Sequence, residues 1–443
     1  MDLLSSVWRA VTHTKALEYS SGEMETAFFD SVYRVTYIAG LSNKDHGFFY
    51  KLYSYTVKLM IALFMLGEIW YMVSFLSTLD IFIEQMNVIV IQSMALFRYK
   101  YMRMNEHVYK KLAASMQMSN FDISTPARKA LVETWMQRNE KYLKILLGLG
   151  SLTLAAWYVY PLVDDLEYNL TVEIQLPVDY RTPTRYPIAY LITLIAFHYT
   201  AFFIMVNDVI MQAHLIHLIC QYTVLADCFE NILKECLDRN ELIHNSRFRE
   251  AFINRLGFLV DQHQQILEHT LELRRTISPP MLGQVMASGL QICFAGYQVT
   301  LTVSFTKFFM SLLFLGYNLF ELFVVCRWCD EIKIQSENIR NALYCSGWEC
   351  GLANMAGVRA RLLLIATRAS KPIVLTAGGI SDLSLNAYAD VSTGQSTSTQ
   401  TYAFTHNTLA NMPAYQLPSS DASQLIVSPP VASATFRSTP YAH

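Results

Sequence analysis

Three stretches of this chain run too long without a charge to belong to an ordinary soluble fold. Thr276–Thr306 lacks Asp, Glu, Lys and Arg for 31 residues, Tyr186–Asn207 for 22 and Ile145–Val163 for 19. A bilayer core of about 30 Å is crossed by about 20 apolar residues in a helix. Three further windows carry one acid each: Leu59–Leu79 with Glu68, Ile81–Phe97 with Glu84, and Phe308–Cys326 with Glu321. The spacing therefore predicts six membrane helices, the first two joined by a tight hairpin at Asp80. Composition agrees: 53% of residues are hydrophobic and 16% charged, against about 25% charged in soluble domains. A net charge of −2 gives no support to nucleic-acid binding. Met1–Gly47 is mixed and polar and reads as a cytoplasmic region without a signal peptide.

Lys and Arg set the orientation, since they accumulate in cytoplasmic loops. Arg98–Lys144 holds ten of them, Ile219–Ser278 seven and Asp330–Lys371 six, whereas Asp164–Arg185 holds two against five acids. Six alternating spans satisfy this only with the N-terminus inside, which is opposite to G-protein-coupled receptors. The sequon Asn169-Leu170-Thr171 then lies outside, where Asn169 is a candidate for glycosylation. Ile219–Ser278 reads as a helical extension of the fourth span into the cytosol, suited to assembly or gating.

Chemistry-bearing motifs are sparse. There is no Walker sequence, HExxH, GxSxG or paired-carboxylate constellation, so no enzyme, cofactor or metal is expected. None of the eight Cys falls in the outer loop, and Cys326-Arg327-Trp328-Cys329 with Cys345 and Cys350 reads as reduced thiols at a membrane–cytosol junction, with palmitoylation open. A zinc site there would need four converging ligands. His214 and His217 lack a third ligand nearby, so hydrogen bonding is the simpler reading. Asp208 is either a functional ionisable group at membrane depth or the end of its span. Glu68 and Glu321 must face the bundle, because a carboxylate at the bilayer centre costs at least ~2.5 kcal/mol; helix-to-helix hydrogen bonding is their expected role.

An apolar cavity with a few hydrogen-bonding groups suits a small hydrophobic molecule. In the outer halves of the spans, aromatic and small polar residues interleave at Phe82, Met86, Trp157, Tyr160, Tyr190, Thr193, Phe197, Gln298, Phe308, Phe309 and Leu313. These are candidate ligand contacts, and the same residues also serve ordinary helix packing.

The blocks CRWCDEIKIQSENIRNALYCSGWE and RASKPIVLTAGG…LSL resemble the C-terminal signature of the insect odorant receptors, and YCSGWE with the CRWC junction is similar to the moth pheromone-receptor branch. The resemblance runs to about Val391 and is most specific from Lys307 onward. It implies an all-α, heptahelical membrane bundle acting as the ligand-binding subunit of an odour-gated, non-selective cation channel. It also implies a heterotetramer with an obligate co-receptor subunit, a plasma-membrane location in olfactory neuron dendrites, and a volatile hydrophobic ligand such as a long-chain acetate, aldehyde or alcohol. Contacts between subunits would come from the cytoplasmic helices, where Trp328, Tyr344, Trp348, Arg368, Lys371 and Pro372 are the candidate assembly and gating residues.

Five segments follow: a cytoplasmic region 1–47, a six-helix bundle 48–329, an anchor region 330–371, the start of a last helix 372–391, and a tail 392–443. Family members continue past the LSL motif into a pore-lining helix. Here, of the 53 residues from Val391 onward, 17 are Ser or Thr, five prolines intervene, and no window of about 20 apolar residues remains. The expectation is a disordered tail replacing most of the last helix, arising from an alternative transcript end, a frameshift or a gene-model error. That sets a second reading beside the first: a non-conducting variant that assembles with channel subunits through Glu331–Lys371 and regulates them.

Overall fold

The computed structural model describes residues 12–42, 44–75, 79–117, 121–163, 168–239, 246–301, 305–348 and 357–393. Residues 394–443, all but the first two of the expected tail, lie outside them, and Asp80, the expected hairpin break, falls within a helix. Two short helices, α1 (Lys15–Glu18) and α2 (Glu23–Ile38), precede the first long one, α3 (Phe48–Ser74). There follow α4 (Leu79–Met104), α5 (Glu106–Ala114), α6 (Pro126–Val163), α7 (Tyr186–Glu230), α8 (Ile232–Arg239), α9 (Ser246–Leu301), α10 (Phe305–Tyr344) and α11 (Val358–Ala369). A ribbon, β1 (Thr376–Ala377) and β2 (Ser381–Asp382), leads into α12 (Leu385–Thr393).

Five of these helices, α3, α4, α6, α7 and α10, are long and apolar enough to cross a membrane. The sixth expected span lies in the C-terminal half of α9, where glutamines dilute the apolar run. Those polar groups point inward: Gln284, Ser288 and Gln291 are buried. A polar side chain on a span needs a partner away from lipid, and here Gln291 reaches the Asn87 carbonyl at 3.5 Å while Asn87 donates to Gln298 at 3.1 Å.

The bilayer as solvent is legible on α3. Leu52, Tyr55, Leu59, Leu63, Leu66, Trp70 and Val73 recur at three- and four-residue spacing and are all exposed. The opposite face, Ser54, Val57, Ile61, Phe64 and Glu68, is buried. This inverts a soluble amphipathic helix, whose apolar stripe faces the core. The central post is α7, packed against α10 and α6, and its 203–229 stretch is almost entirely buried.

Below the bundle, Arg128, assigned from sequence to a loop, is completely buried. Its guanidinium binds Asp122 (2.9 Å), Asp227 (2.8 Å) and Glu235, and Arg255 shares Asp122 and Glu235. The described helices on either side of residues 240–245 thus meet in a packed core pinned by that network.

The β ribbon is an addition to the all-α expectation. Gly378 and Gly379 both sit at positive φ, 61° and 74°, and the Ile380 amide closes on the Ala377 carbonyl at 3.0 Å. Glycine alone takes two such positions readily. Gly378 also has its amide on the Ser278 carbonyl at 2.8 Å, where a Cβ would stand 2.5 Å from Leu282 Cδ2. The ribbon thereby locks the start of α12 against α9. Ser384 caps α12 through its hydroxyl to the Ala387 amide (3.1 Å), and Asp330 on α10 accepts from the Leu385 amide (2.8 Å). The nine described residues of α12 extend about 13 Å, less than half a bilayer core of about 30 Å.

Candidate ligand cavity and the ion cluster beneath it

Helices α4, α6, α7 and α10 line a cavity of about 60 Å³. Its walls are Val88, Ile91, Leu154, Trp157, Phe197, Ile204, Met205 and Phe314, with polar groups from Gln92, Thr153, Thr200 and Tyr317. Gly150 allows α6 to approach α7 so closely that a Cβ there would collide with the Met205 sulfur. The two threonine hydroxyls are used within their own helices, bonding the Leu149 and Ala196 carbonyls at 3.0 and 2.8 Å. Gln92 is different. Its amide nitrogen donates to Glu68 at 3.1 Å, and its Oε1 has no hydrogen-bond partner among the described residues. An unpaired buried acceptor costs about 1–3 kcal/mol, and a ligand with a donor group would remove that cost.

Tyr317 forms the floor. Its hydroxyl donates to Asp208 at 3.3 Å, and Asp208 belongs to a buried ion cluster. Arg98 sits 2.5 Å from Asp208 and 3.1 Å from Glu321, all three side chains 4% exposed or less. Gln284 donates to Glu321 at 2.9 Å. One guanidinium thus serves two carboxylates and joins α4, α7 and α10, while Gln284 brings in α9. Arg98, counted from sequence among loop cations, is instead a core residue. The cluster gives Asp208 a helix-to-helix ion pair, and the helix-to-helix bonding expected of Glu68 and Glu321 is observed.

Of the ligand candidates, Trp157 and Phe197 line the cavity, their rings 5.3 Å apart. Tyr160 receives the Asn169 amide at 3.3 Å, Tyr190 donates to the Tyr158 carbonyl at 2.8 Å, and Thr193 bonds its own helix at Ala189. Phe82, Met86 and Leu313 are half-buried and Phe309 is exposed; these four and Gln298 stand outside the lining. Asn169 itself is buried, with Leu170, Thr171, Val172 and Ile174 beside it. The 169–176 segment folds down onto the bundle, where the Gln175 amide meets the Gly67 carbonyl at 3.2 Å.

Among the assembly candidates, Trp328 is buried inside the chain, against Tyr142 (4.9 Å) and Trp135 (6.4 Å). Trp348 and Pro372 are half-buried; Tyr344, Arg368 and Lys371 are exposed. His214 and His217 are core residues, packed on Phe29 and bonded to Ile210 and Gln221. Among the described residues no group of three or more His, Cys, Asp and Glu could hold a metal ion.

A family model described as 7tm odorant receptor matches residues 72–394. Odorant receptor 67a of Drosophila melanogaster is 32% identical over 30% of this chain and 32% of its own length. Odorant receptor 94a of the same fly is 26% identical over 54% of this chain and 58% of its own. The chain thus matches about a third to three-fifths of the length of these relatives. The olfactory receptor OR5 of Machilis hrabei shares the fold, with a TM-score of 0.70 at 18% identity over 87% of this chain and 98% of that one. It has also been solved in complex with eugenol.

Proposed function

The chain belongs to the 7tm odorant receptor family of insects, and from that premise we propose that it is the ligand-binding subunit of an odour-gated, non-selective cation channel assembled with a co-receptor subunit. It is a membrane receptor and not an enzyme. The proposed setting is the plasma membrane of an olfactory neuron dendrite, with the N-terminus cytoplasmic. The observation that carries the reading is the mostly apolar cavity between the helices, with an unsatisfied acceptor at Gln92 and a floor tied to the Arg98 cluster.

At about 60 Å³ the cavity is smaller than the ~150 Å³ that admits benzene in an engineered protein core. Binding therefore has to move its walls, and the flexible Met205 thioether is the wall most easily displaced. Displaced walls on α7 and α10 pull on Tyr317 and hence on the four-helix cluster. A ligand that binds this expanded arrangement better shifts the population towards it. The free acceptor on Gln92 favours a compact ligand with a hydroxyl donor, such as an alcohol, over an acetate or aldehyde. OR5 of Machilis hrabei, which shares the fold, has been solved in complex with eugenol, a molecule that carries a phenolic hydroxyl.

Assembly is supported by apolar residues left uncovered below the bundle: Ile334, Tyr344, Leu363 and Leu364 are all more than half exposed on α10 and α11. Outside lipid, such a patch marks a contact surface. A second reading, a non-conducting assembly partner, draws on the short α12. Recording from cells that co-express this chain with the co-receptor separates the two. Volatile-evoked current supports the first reading, and a surface-delivered complex that stays silent to every ligand that stabilises it supports the second.

A further inference from the structure

We propose that the cleft between α2, α4, α5 and α7 is a binding site for a phosphate-bearing anionic lipid of the inner leaflet. This rests on the orientation given above, with the Lys44–Lys110 end of the bundle inside. The cleft, about 150 Å³, is lined by apolar groups such as Val32, Met102 and Ile210 and by the cations Lys44, Arg103 and Lys110. Among the described residues its one lining carboxylate, Glu106, is already divided between Arg103 (3.0 Å) and Lys110 (2.6 Å). Lys44 donates to the Tyr19 carbonyl at 3.2 Å and has no carboxylate within ion-pair distance among the described residues. Burial and the neighbouring Lys110 lower its ammonium pKa, with Glu25 and Glu106 opposing. Cations crowded in this way are relieved by an anion.

The setting points to a lipid. Arg103 lies one residue before the end of α4, and the nearby start of α3 exposes Phe48 and Phe49, aromatic residues of the kind that settle at headgroup level. Lys58, exposed on α3, is near enough to Arg103 to repel it. Headgroup phosphates would meet Lys44, Arg103 and Lys110, and an acyl chain would follow the apolar wall. Basic pockets between helices on the cytoplasmic side bind such headgroups.

The test uses the full chain in phosphatidylcholine nanodiscs with and without phosphatidylinositol 4,5-bisphosphate, read as bound labelled lipid, with soluble inositol 1,4,5-trisphosphate as competitor. Retention above phosphatidylcholine alone is expected. It should fall about fivefold for each charge removed, ~1 kcal/mol, in Lys44→Gln, Arg103→Gln and Lys110→Gln, at unchanged melting temperature. Lys144→Gln, on an exposed residue, should have no effect. Equal retention in the triple variant overturns the proposal, as does full displacement by the soluble trisphosphate, which would make the source a free phosphate. The readout needs no odour response, so a silent receptor that still holds the lipid counts against the channel reading alone.

Discussion

Replacing Arg98 by Met removes the only cation bonded to Asp208 and Glu321 among the described residues. The side chain keeps its approximate length and apolar stem, so packing changes little. Two carboxylates, 4% and 2% exposed, are left without the guanidinium at 2.5 and 3.1 Å. Breaking a buried pair from one side costs about 3–5 kcal/mol, a large share of the ~5–15 kcal/mol that holds a protein folded. Glu321 keeps Gln284 and Asp208 keeps Tyr317, which places the expectation towards 3. The assay is thermal unfolding of detergent-solubilised protein, followed by size-exclusion chromatography. Arg98→Met should melt well below wild type. The triple variant Arg98→Met, Asp208→Asn, Glu321→Gln should recover most of the loss, because no unpaired charge remains. Lys144→Met, 71% exposed, should shift stability by ~0–1 kcal/mol. An Arg98→Met protein that melts with wild type refutes the ion cluster, and a triple variant as unstable as the single one refutes the charge argument.

Gly150→Ala should drive the Met205 thioether into the cavity and raise the ligand concentration for half-maximal response, with surface delivery intact; an unchanged dose–response would remove the cavity from consideration. Gln92→Leu should abolish any preference for alcohols over matched acetates, measured as the ratio of responses. Burial pulls the His263 imidazole down to about 4, Arg368 adding to the effect. Protonation then favours the unfolded chain, so this contribution is complete above 6.5 and is lost as pH falls from there towards 4; melting curves of His263→Asn should be flatter over that window than those of wild type. Because the Asn169 amide is buried and donates to Tyr160, glycosidase treatment should leave the electrophoretic mobility unchanged.

The spans were legible because lipid imposes a simple rule, long windows without charge, and α6 and α7 follow it openly. The ion cluster was not. Arg98 adjoins the end of a span, so local sequence reads it as loop, and Glu321 lies 223 residues away. One signal was available: two acids and a cation at membrane depth must find each other. Choosing ligand contacts by depth brought in Trp157 and Phe197, which line the cavity, and also Tyr160 and Tyr190, whose rotation about the helix axis turns them to other partners. Trp328, placed among the assembly candidates by the resemblance, has its ring packed inside the chain on Tyr142 and Trp135, a tertiary contact no local window displays. The ribbon was signalled by its Gly-Gly pair, but strands of two residues carry no alternation to read.

The most direct test of the account is volatile-evoked current in cells expressing this 443-residue chain with the proposed co-receptor, using small alcohols, acetates and aldehydes. The proposed function predicts an inward current led by a compact alcohol and weakened by Gly150→Ala. A chain that reaches the surface with its partner, gives no current and gains no thermal stability from any of these volatiles would contradict it.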